Sequence, residues 1–301
     1  MRRACPRNGR SHALPHPPGR GTGPDTGFSV NPENGALPDK RWVGRSFGLA
    51  AERYDGLAGL QRTTALALLT RLFGRMAATE PGHILDVGAG TGYPTRYLLE
   101  HWPGARVIAL DLAEAMLRVA GRRLSRHVSL QRIVGDAESL PLADESIDLV
   151  FTNLALQWCN PPEVALKEFF RVLKPGGRLA FSTFGPATLQ ELRTAWATVD
   201  RYTHVSHFPG IEQYRHSLAQ AGGVDCELLL TPRHLKYPAV MGLMEELKGL
   251  GAHNMTRDRP RHLLGKSTWQ RMIRAYEAQQ AGGDITATFE IMTGHCIKGV
   301  E

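Results

Sequence analysis

No stretch of this chain is apolar for long enough to cross a bilayer, and its first residues lack the continuous apolar core of a secretory signal. A membrane role and export are not expected; a cytoplasmic protein is. Cysteine is scarce: four in 301 residues, at Cys5, Cys159, Cys226 and Cys296, far apart in sequence and forming neither a CxxC metal pair nor a dense disulfide framework. A reducing compartment suits such thiols, and no metal is expected. Acidic residues are missing before Asp25, where Arg2, Arg3, Arg7, Arg10 and Arg20 cluster. Much of the formal net charge of +7 arises in that arm, so charge alone does not make the chain a nucleic-acid binder.

From Met1 to about Asp39, proline, glycine, arginine and polar residues dominate and leave almost no periodic apolar positions. Residues 1–42 therefore read as a disordered arm. The missing acids would suit a transit peptide, but the repeated Pro and Gly would break the amphipathic helix it needs. The remainder, 43–301, reads as one domain, and 42% hydrophobic content supports a substantial core. Order is expected from near Arg45, with a helical run from Ala65 to Met76.

Strand-like segments at 83–87, 106–110, 128–134, 147–152 and 178–183 then alternate with helical stretches around 91–101, 113–124 and 161–173. That rhythm predicts a Rossmann-like, doubly wound α/β sheet. Past Thr183 the pattern gives helices near 186–200, 211–221, 239–250 and 267–280, and strands near 225–231 and 286–293. The segment of about 238–283, rich in Gly, Arg, His and Met, reads as a helical lid over a cleft.

The most informative segment is Ile84-Leu85-Asp86-Val87-Gly88-Ala89-Gly90-Thr91-Gly92, an apolar strand entering a glycine-rich turn. Glycines at 88, 90 and 92 allow positive φ and remove the Cβ atoms that would hold a ligand off the backbone. Gly92 is followed by Tyr93 and Pro94 rather than Lys-Ser/Thr, which argues against a triphosphate loop. Asp111, at the end of the next strand, meets the requirement for a ribose-binding acid. Asp86, just ahead of the turn, suits the ammonium of an amino-acid moiety and would repel a diphosphate. Asp136 and Ala137 follow the third strand, placed to accept from an adenine amino group and to donate a backbone N–H.

With Val172-Leu173-Lys174-Pro175-Gly176-Gly177 ahead of the fifth strand, these features resemble the class I S-adenosylmethionine-dependent methyltransferases from about residue 46 to the end. The resemblance implies a mostly parallel sheet with one antiparallel strand and S-adenosyl-L-methionine as cofactor. It places Asp86, Gly88, Gly90 and Gly92 on the methionine side, Asp111 on the ribose, and Leu112, Met116, Asp136 and Ala137 on the adenine.

No His, Glu or Lys stands out at the end of the fourth strand, Asn153-Leu154-Ala155-Leu156-Gln157-Trp158. That fits an acceptor that is already an anion, as a carboxylate of reference pKa about 4 is at neutral pH. Asn160-Pro161-Pro162-Glu163 lies beyond the strand end, lacks the aromatic of the amide and adenine-N6 methylating motif, and reads as a helix cap. The segments Tyr54-Asp55 with Leu60-Gln61-Arg62, Asn153 to Cys159, Ser182 to Leu189, Glu191 to Trp196 and Leu247 to Asn254 resemble the malonyl-[acyl-carrier protein] O-methyltransferases of biotin synthesis. This resemblance implies methyl-ester formation on the free carboxylate of a malonyl thioester carried by acyl-carrier protein, with no nucleic-acid or membrane partner.

Candidate acceptor-side residues are Tyr54, Asn153 and Gln157, with Trp158 and Phe184 as cleft walls. Arg257 and Arg259, with Lys248 and Arg261, are candidates for meeting the acidic carrier, and Arg53 and Arg62 for the substrate carboxylate. His204 and His207 lack a third ligand and are not read as a metal site. His295-Cys296-Ile297-Lys298 departs from the family's usual small-residue and aromatic ending, which bears on the packing of the last strand. Two other readings stay open on the residues alone: another small-molecule methyltransferase, acting on a quinone precursor or a free dicarboxylate, and a non-catalytic methyltransferase-like binding protein.

Overall fold

The computed structural model describes Met1 and residues 39–159, 161–252, 265–280 and 282–300. Asp39 accepts a hydrogen bond from the Arg41 N–H (3.0 Å) and caps α1 (Lys40–Ala50), whose Val43, Ser46 and Ala50 face inward. Lys40, Arg41 and Trp42, read from the sequence as the end of the arm, are thus helical, and α1 begins ahead of Arg45. Residues 2–38 lie outside the described residues.

After α2 (Tyr54–Leu57) and α3 (Gly59–Arg75) come β1 (His83–Val87), α4 (Tyr93–His101), β2 (Arg106–Asp111), α5 (Glu114–Arg123), β3 (Leu130–Val134) and β4 (Ile147–Asn153). They are followed by α6 (Pro162–Val172), β5 (Leu173–Phe184), α7 (Gln190–Ala197), α8 (Ile211–Gln220), β6 (Gly223–Tyr237), α9 (Val240–Gly249), α10 (Lys266–Glu277) and β7 (Ile285–Lys298). The helix expected from Pro161 takes Pro162 as its first residue, where a missing N–H costs nothing, and keeps Glu163 in its first turn. Asn160 is outside the described residues.

The seven strands lie in the order β3-β2-β1-β4-β5-β7-β6. β1 to β5 pair in parallel, and β7 runs antiparallel to both neighbours. Side chains of the central strands alternate between two cores, as the pleat requires. Ile84, Leu149 and Phe151 pack with Leu68, Leu69 and Leu72 of α3 and Leu98 and Leu99 of α4. Leu85, Val87 and Val150 pack with Phe169 and Phe170 of α6 and Tyr214 and Leu218 of α8. Each such fully buried side chain contributes roughly 1.5–3 kcal/mol. The chain reverses its direction of travel across the sheet between β1 and β4, and a cleft opens at the carboxyl ends of such strands.

A third core joins α7, α9 and α10 to the sheet: Trp196 of α7, Leu243 of α9, and Met272 and Tyr276 of α10 cover Ile285, Ala287 and Phe289 of β7. The expected lid, 238–283, thus contains α9 and α10, with residues 253–264 and 281 outside the described ones. Strands β6 and β7 extend well beyond the segments expected, because they pair from Gly223↔Lys298 to Tyr237↔Ile285. β6 is an edge strand, so Pro232, Arg233, His234 and Lys236 stay exposed and hide the strand pattern. The unusual ending keeps its register, with His295 opposite Ala180 and Ile297 opposite Arg178.

The cysteine reading needs correction. Cys226 and Cys296, 70 residues apart, face each other across β6 and β7 and form a disulfide. Spacing in the sequence gives no sign of a pairing made by long-range strand register. Cys159 is the free cysteine among the described residues. No helix of the described residues is long and apolar enough to cross a membrane.

Candidate active site

The glycine turn joins β1 to α4 with φ of +68°, +56° and +81° at Gly88, Gly90 and Gly92. Its first two N–H groups, of Gly88 and Ala89, donate to the Leu110 carbonyl at 2.8 and 3.1 Å, clamping the turn to β2. The three glycines serve different ends. A Cβ at Gly88 would overlap Ala155, and one at Gly92 would press on Leu124 at 2.9 Å and Ala120 at 3.0 Å. A Cβ at Gly90 would meet nothing within 4 Å. Gly90 is therefore the position where the missing side chain leaves room for a ligand.

Asp111 holds that room open. Its carboxylate accepts from the Gly90 N–H (2.9 Å) and from the Ala113 N–H (2.8 Å). Burial pushes its carboxyl above the usual range, against the pull of these backbone bonds. Asp55 adds a second brace, accepting from the Thr91 hydroxyl (2.5 Å) and pairing with Arg123 of α5. Asp86 sits behind the turn, away from the crevice walls and fully buried. One carboxyl oxygen accepts from Thr95 Oγ1 (2.6 Å), the other has no partner, and burial pushes the group up to about 7.

Two crevices flank the turn and share Tyr54, Gly88, Gly90 and Asn153. The first also runs past Asp111, Leu112, Met116, Asp136, Ala137 and Trp158, so one wall gathers most of the residues singled out from the sequence. Gly92 is at neither wall. Free space in this crevice is about 110 Å³, below the roughly 300–1,000 Å³ of ligand sites. The reason is α1, which lies across the mouth. Lys40 Nζ reaches Asp136 (2.5 Å) and Glu138 (2.6 Å), and Gly44 rests on Leu112. The second crevice is bordered by Arg62, Tyr93 and Pro94, and among the described residues no acid pairs with Arg62. Arg53 lines neither crevice.

Beyond the crevices, between α3, α7, α9, α10 and β7, lies a cavity of about 600 Å³. Phe184, Leu189, Leu192, Trp196, Met241, Met244, Leu247, Trp269 and Phe289 make it predominantly apolar, and Gln157 and Trp158 are in its wall. Phe184 packs against Phe208 and Phe289, and Trp158 stands edge-on to Phe47 of α1. His204 stacks on Trp196 and bonds to Asp200 (2.8 Å), occupying one ring nitrogen. Lys248 is on the lid side of this cavity; Arg257, Arg259 and Arg261 lie outside the described residues.

The amides expected to meet the acceptor are held by the protein. Asn153 Nδ2 donates to the Gln61 carbonyl (3.1 Å), and its Oδ1 accepts from Ser182 (2.9 Å). Gln157 Nε2 donates to the Leu154 carbonyl (2.7 Å), and its Oε1 accepts from Thr183 (3.4 Å). Tyr54 is half-buried beside Phe47, and the desolvation of its phenol pushes the group far above the ordinary value, so it remains a neutral hydroxyl. Among the wall residues given no site role from the sequence are Lys40, assigned to the arm; Phe47; and Gln61, which was quoted within a motif only. For Gln61 the usable signal was a polar side chain beside Leu60 on the inward stripe of α3.

Residues 85–181 match the family described as "Methyltransferase domain". The chain is 48% identical over 257 residues to a malonyl-[acyl-carrier protein] O-methyltransferase of Methylococcus capsulatus, covering 85% of this chain and 93% of that protein. It is 40% identical over 253 residues, 84% of this chain and 49% of the other, to a biotin biosynthesis bifunctional protein of Cellvibrio japonicus. Among solved structures, the YcgJ protein of Bacillus subtilis shares the fold with a TM-score of 0.57 at 15% identity, covering 78% of this chain and 99% of that one. With 48% identity over 85% of its length, the chain belongs to the malonyl-[acyl-carrier protein] O-methyltransferase family, class I enzymes that use S-adenosylmethionine.

Proposed function

We propose that this protein transfers the methyl group of S-adenosylmethionine to the free carboxylate of malonyl-acyl-carrier protein, forming the methyl ester used in biotin synthesis. The observation that carries this reading is the junction of the glycine-turn crevices with the 600 Å³ apolar cavity. Among the described residues, the side chains that line both a crevice and that cavity are Gln61 and Trp158, neither of which is a base. An acceptor needing deprotonation, such as a phenol, finds no proton acceptor at this junction among the described residues; His204, Glu245 and Glu246 lie elsewhere in the cavity wall. A carboxylate, ionised above a pKa of about 4, needs none.

When bound, S-adenosylmethionine supplies a methyl group on a sulfonium that departs as a neutral thioether. The residues present suit it. Gly90 leaves space at the turn, Asp111 offers a carboxylate beside Leu112 and Met116, and Arg62 is a cation free to receive the methionine carboxylate. Asp86, buried behind the turn, lends negative potential toward the ammonium without touching it, and Asp136 and Ala137 suit the adenine edge. Tyr54 and Trp158 close the crevice and exclude water from the transfer point. The protein's remaining task is to hold one carboxylate oxygen in line with the methyl group.

The cavity's length and apolar walls suit the thioester and the arm behind it, while Lys248, Arg257 and Arg259 supply charge complementary to an acidic carrier. The deciding experiment compares malonyl-acyl-carrier protein, malonyl-coenzyme A, free malonate and a quinone precursor with S-adenosylmethionine present. The reading expects the carrier-borne acid to be methylated most efficiently. Preference for free malonate or for the quinone precursor overturns it.

A further inference from the structure

A carboxylate entering an apolar cavity loses its water and needs at least one donor from the protein. At the end of β4, the two obvious amides are already engaged: Asn153 by the Gln61 carbonyl and Ser182, and Gln157 by the Leu154 carbonyl and Thr183. Gln61 is in the opposite position. Its side chain lines both the large cavity and the crevice beside Gly90, and its amide oxygen is buried with no hydrogen-bond partner.

The backbone at Gln61 is fixed, because its carbonyl receives the Asn153 amide (3.1 Å). The side chain therefore projects from an anchored point into the place where cofactor crevice and acceptor cavity meet. An orphaned buried polar group lowers stability. A side chain that the fold leaves unsatisfied at this position is poised for a ligand. An amide offers two N–H donors on one side and an acceptor on the other, and half a turn about its last bond exchanges them.

We propose that Gln61, resting on the carboxyl-methylation reading above, donates a hydrogen bond to the malonyl carboxylate and fixes the oxygen that receives the methyl group. One donated bond holds one carboxylate oxygen and leaves the other directed at the sulfonium. Trp158, across the junction, offers a single indole N–H and a flat wall against the same group. Two side chains thus give the junction its selectivity for a planar anion. A donor that remains neutral, unlike lysine or arginine, holds the carboxylate without lowering its nucleophilicity by a full opposing charge.

The test uses the full chain with Gln61→Leu and Gln61→Met, which remove the amide while nearly preserving volume. Removing an orphaned buried amide should leave the melting temperature unchanged or raised, and S-adenosylhomocysteine affinity within about twofold. The KM for malonyl-acyl-carrier protein should rise about ten- to a hundredfold, the range for a lost hydrogen bond to an ion. Gln61→Glu, which sets a like charge against the acceptor, should be worse than either. Unchanged KM in both apolar variants, with the wild type active, overturns the role of Gln61 alone. Equal weakening of S-adenosylhomocysteine binding turns the amide toward the cofactor and also overturns it. Absence of methyl transfer by the wild type to the malonyl carrier overturns this proposal together with the reading beneath it.

Discussion

Replacing Asp86 by asparagine separates the cost of burying a charge from its use. Burial holds the Asp86 carboxyl near 7 rather than 3.8, even with a hydrogen bond from Thr95 favouring the ion. Charging this group inside the protein therefore costs on the order of 4 kcal/mol more than charging it in water. Asparagine keeps the shape, still accepts from Thr95, and never carries the charge.

The sign follows from linkage. The folded-state pKa is raised, so the carboxyl's favourable state is complete below about 4, where folded and unfolded forms are both protonated. Stability is lost as pH rises from there through about 7, and the deficit is complete above it. At pH 8, Asp86→Asn is expected to be more stable than the wild type by up to that amount, each kcal/mol shifting Tm by about 2–4 °C. Near pH 4 the difference should vanish. In exchange, the variant should bind S-adenosylhomocysteine more weakly, because the ammonium loses a negative charge buried behind the turn. In the wild type, binding at pH 6 to 7 should release a proton, visible by calorimetry in buffers of different ionisation enthalpy. An Asp86→Asn protein that melts no higher than wild type at pH 8, or gains equally at pH 4, refutes the reasoning.

Asp111→Ala removes the acceptor for the Gly90 and Ala113 N–H groups; S-adenosylhomocysteine affinity should fall about tenfold or more, and unchanged titration would contradict its place in the site. Gly88→Ala and Gly90→Ala should diverge: the first collides with Ala155 and should lower Tm strongly, while the second meets open space, bears only the strain of its positive φ, and should mainly impair cofactor binding. Equal effects on Tm and affinity in both would contradict the division of roles. The 110 Å³ of free space under α1 requires this helix to lift for cofactor entry; Lys40→Met should speed amide exchange across residues 40–50 in the unliganded protein, and S-adenosylhomocysteine should slow it in both. Identical exchange in all four states would show α1 to be static.

The parallel half of the fold was legible because its determinants are local. β1, β2 and β4 are short, largely apolar runs buried on both faces, and each ends at a turn residue or an acid; β3, at the sheet edge, is only partly buried. The glycine turn was legible for the same reason, since positive φ and missing Cβ atoms belong to the residue itself. The outer half of β6 was not, because an edge strand is satisfied by its partner's register while its side chains stay polar, and the end of β7, Gly294 to Lys298, was not, because His295 and Lys298 interrupt its apolar pattern. The Cys226–Cys296 pairing depends on that same register.

Within the site, residue type correctly singled out the crevice wall, yet it could not tell an amide that serves the fold from one left for a ligand. Asn153 and Gln157 look as available in sequence as Gln61 does; only their hydrogen bonds separate them. Lys40 was missed because composition assigned it to the arm, while the Asp39 cap assigns it to α1 and thus to the mouth of the crevice.

The most direct test of the central claim is mass spectrometry of malonyl-acyl-carrier protein incubated with the purified chain and S-adenosylmethionine. A mass gain of one methylene group on the acyl moiety, removed by mild base as expected of a methyl ester, is the predicted result. A carrier that returns unmethylated while S-adenosylmethionine is turned over on another acceptor contradicts the account.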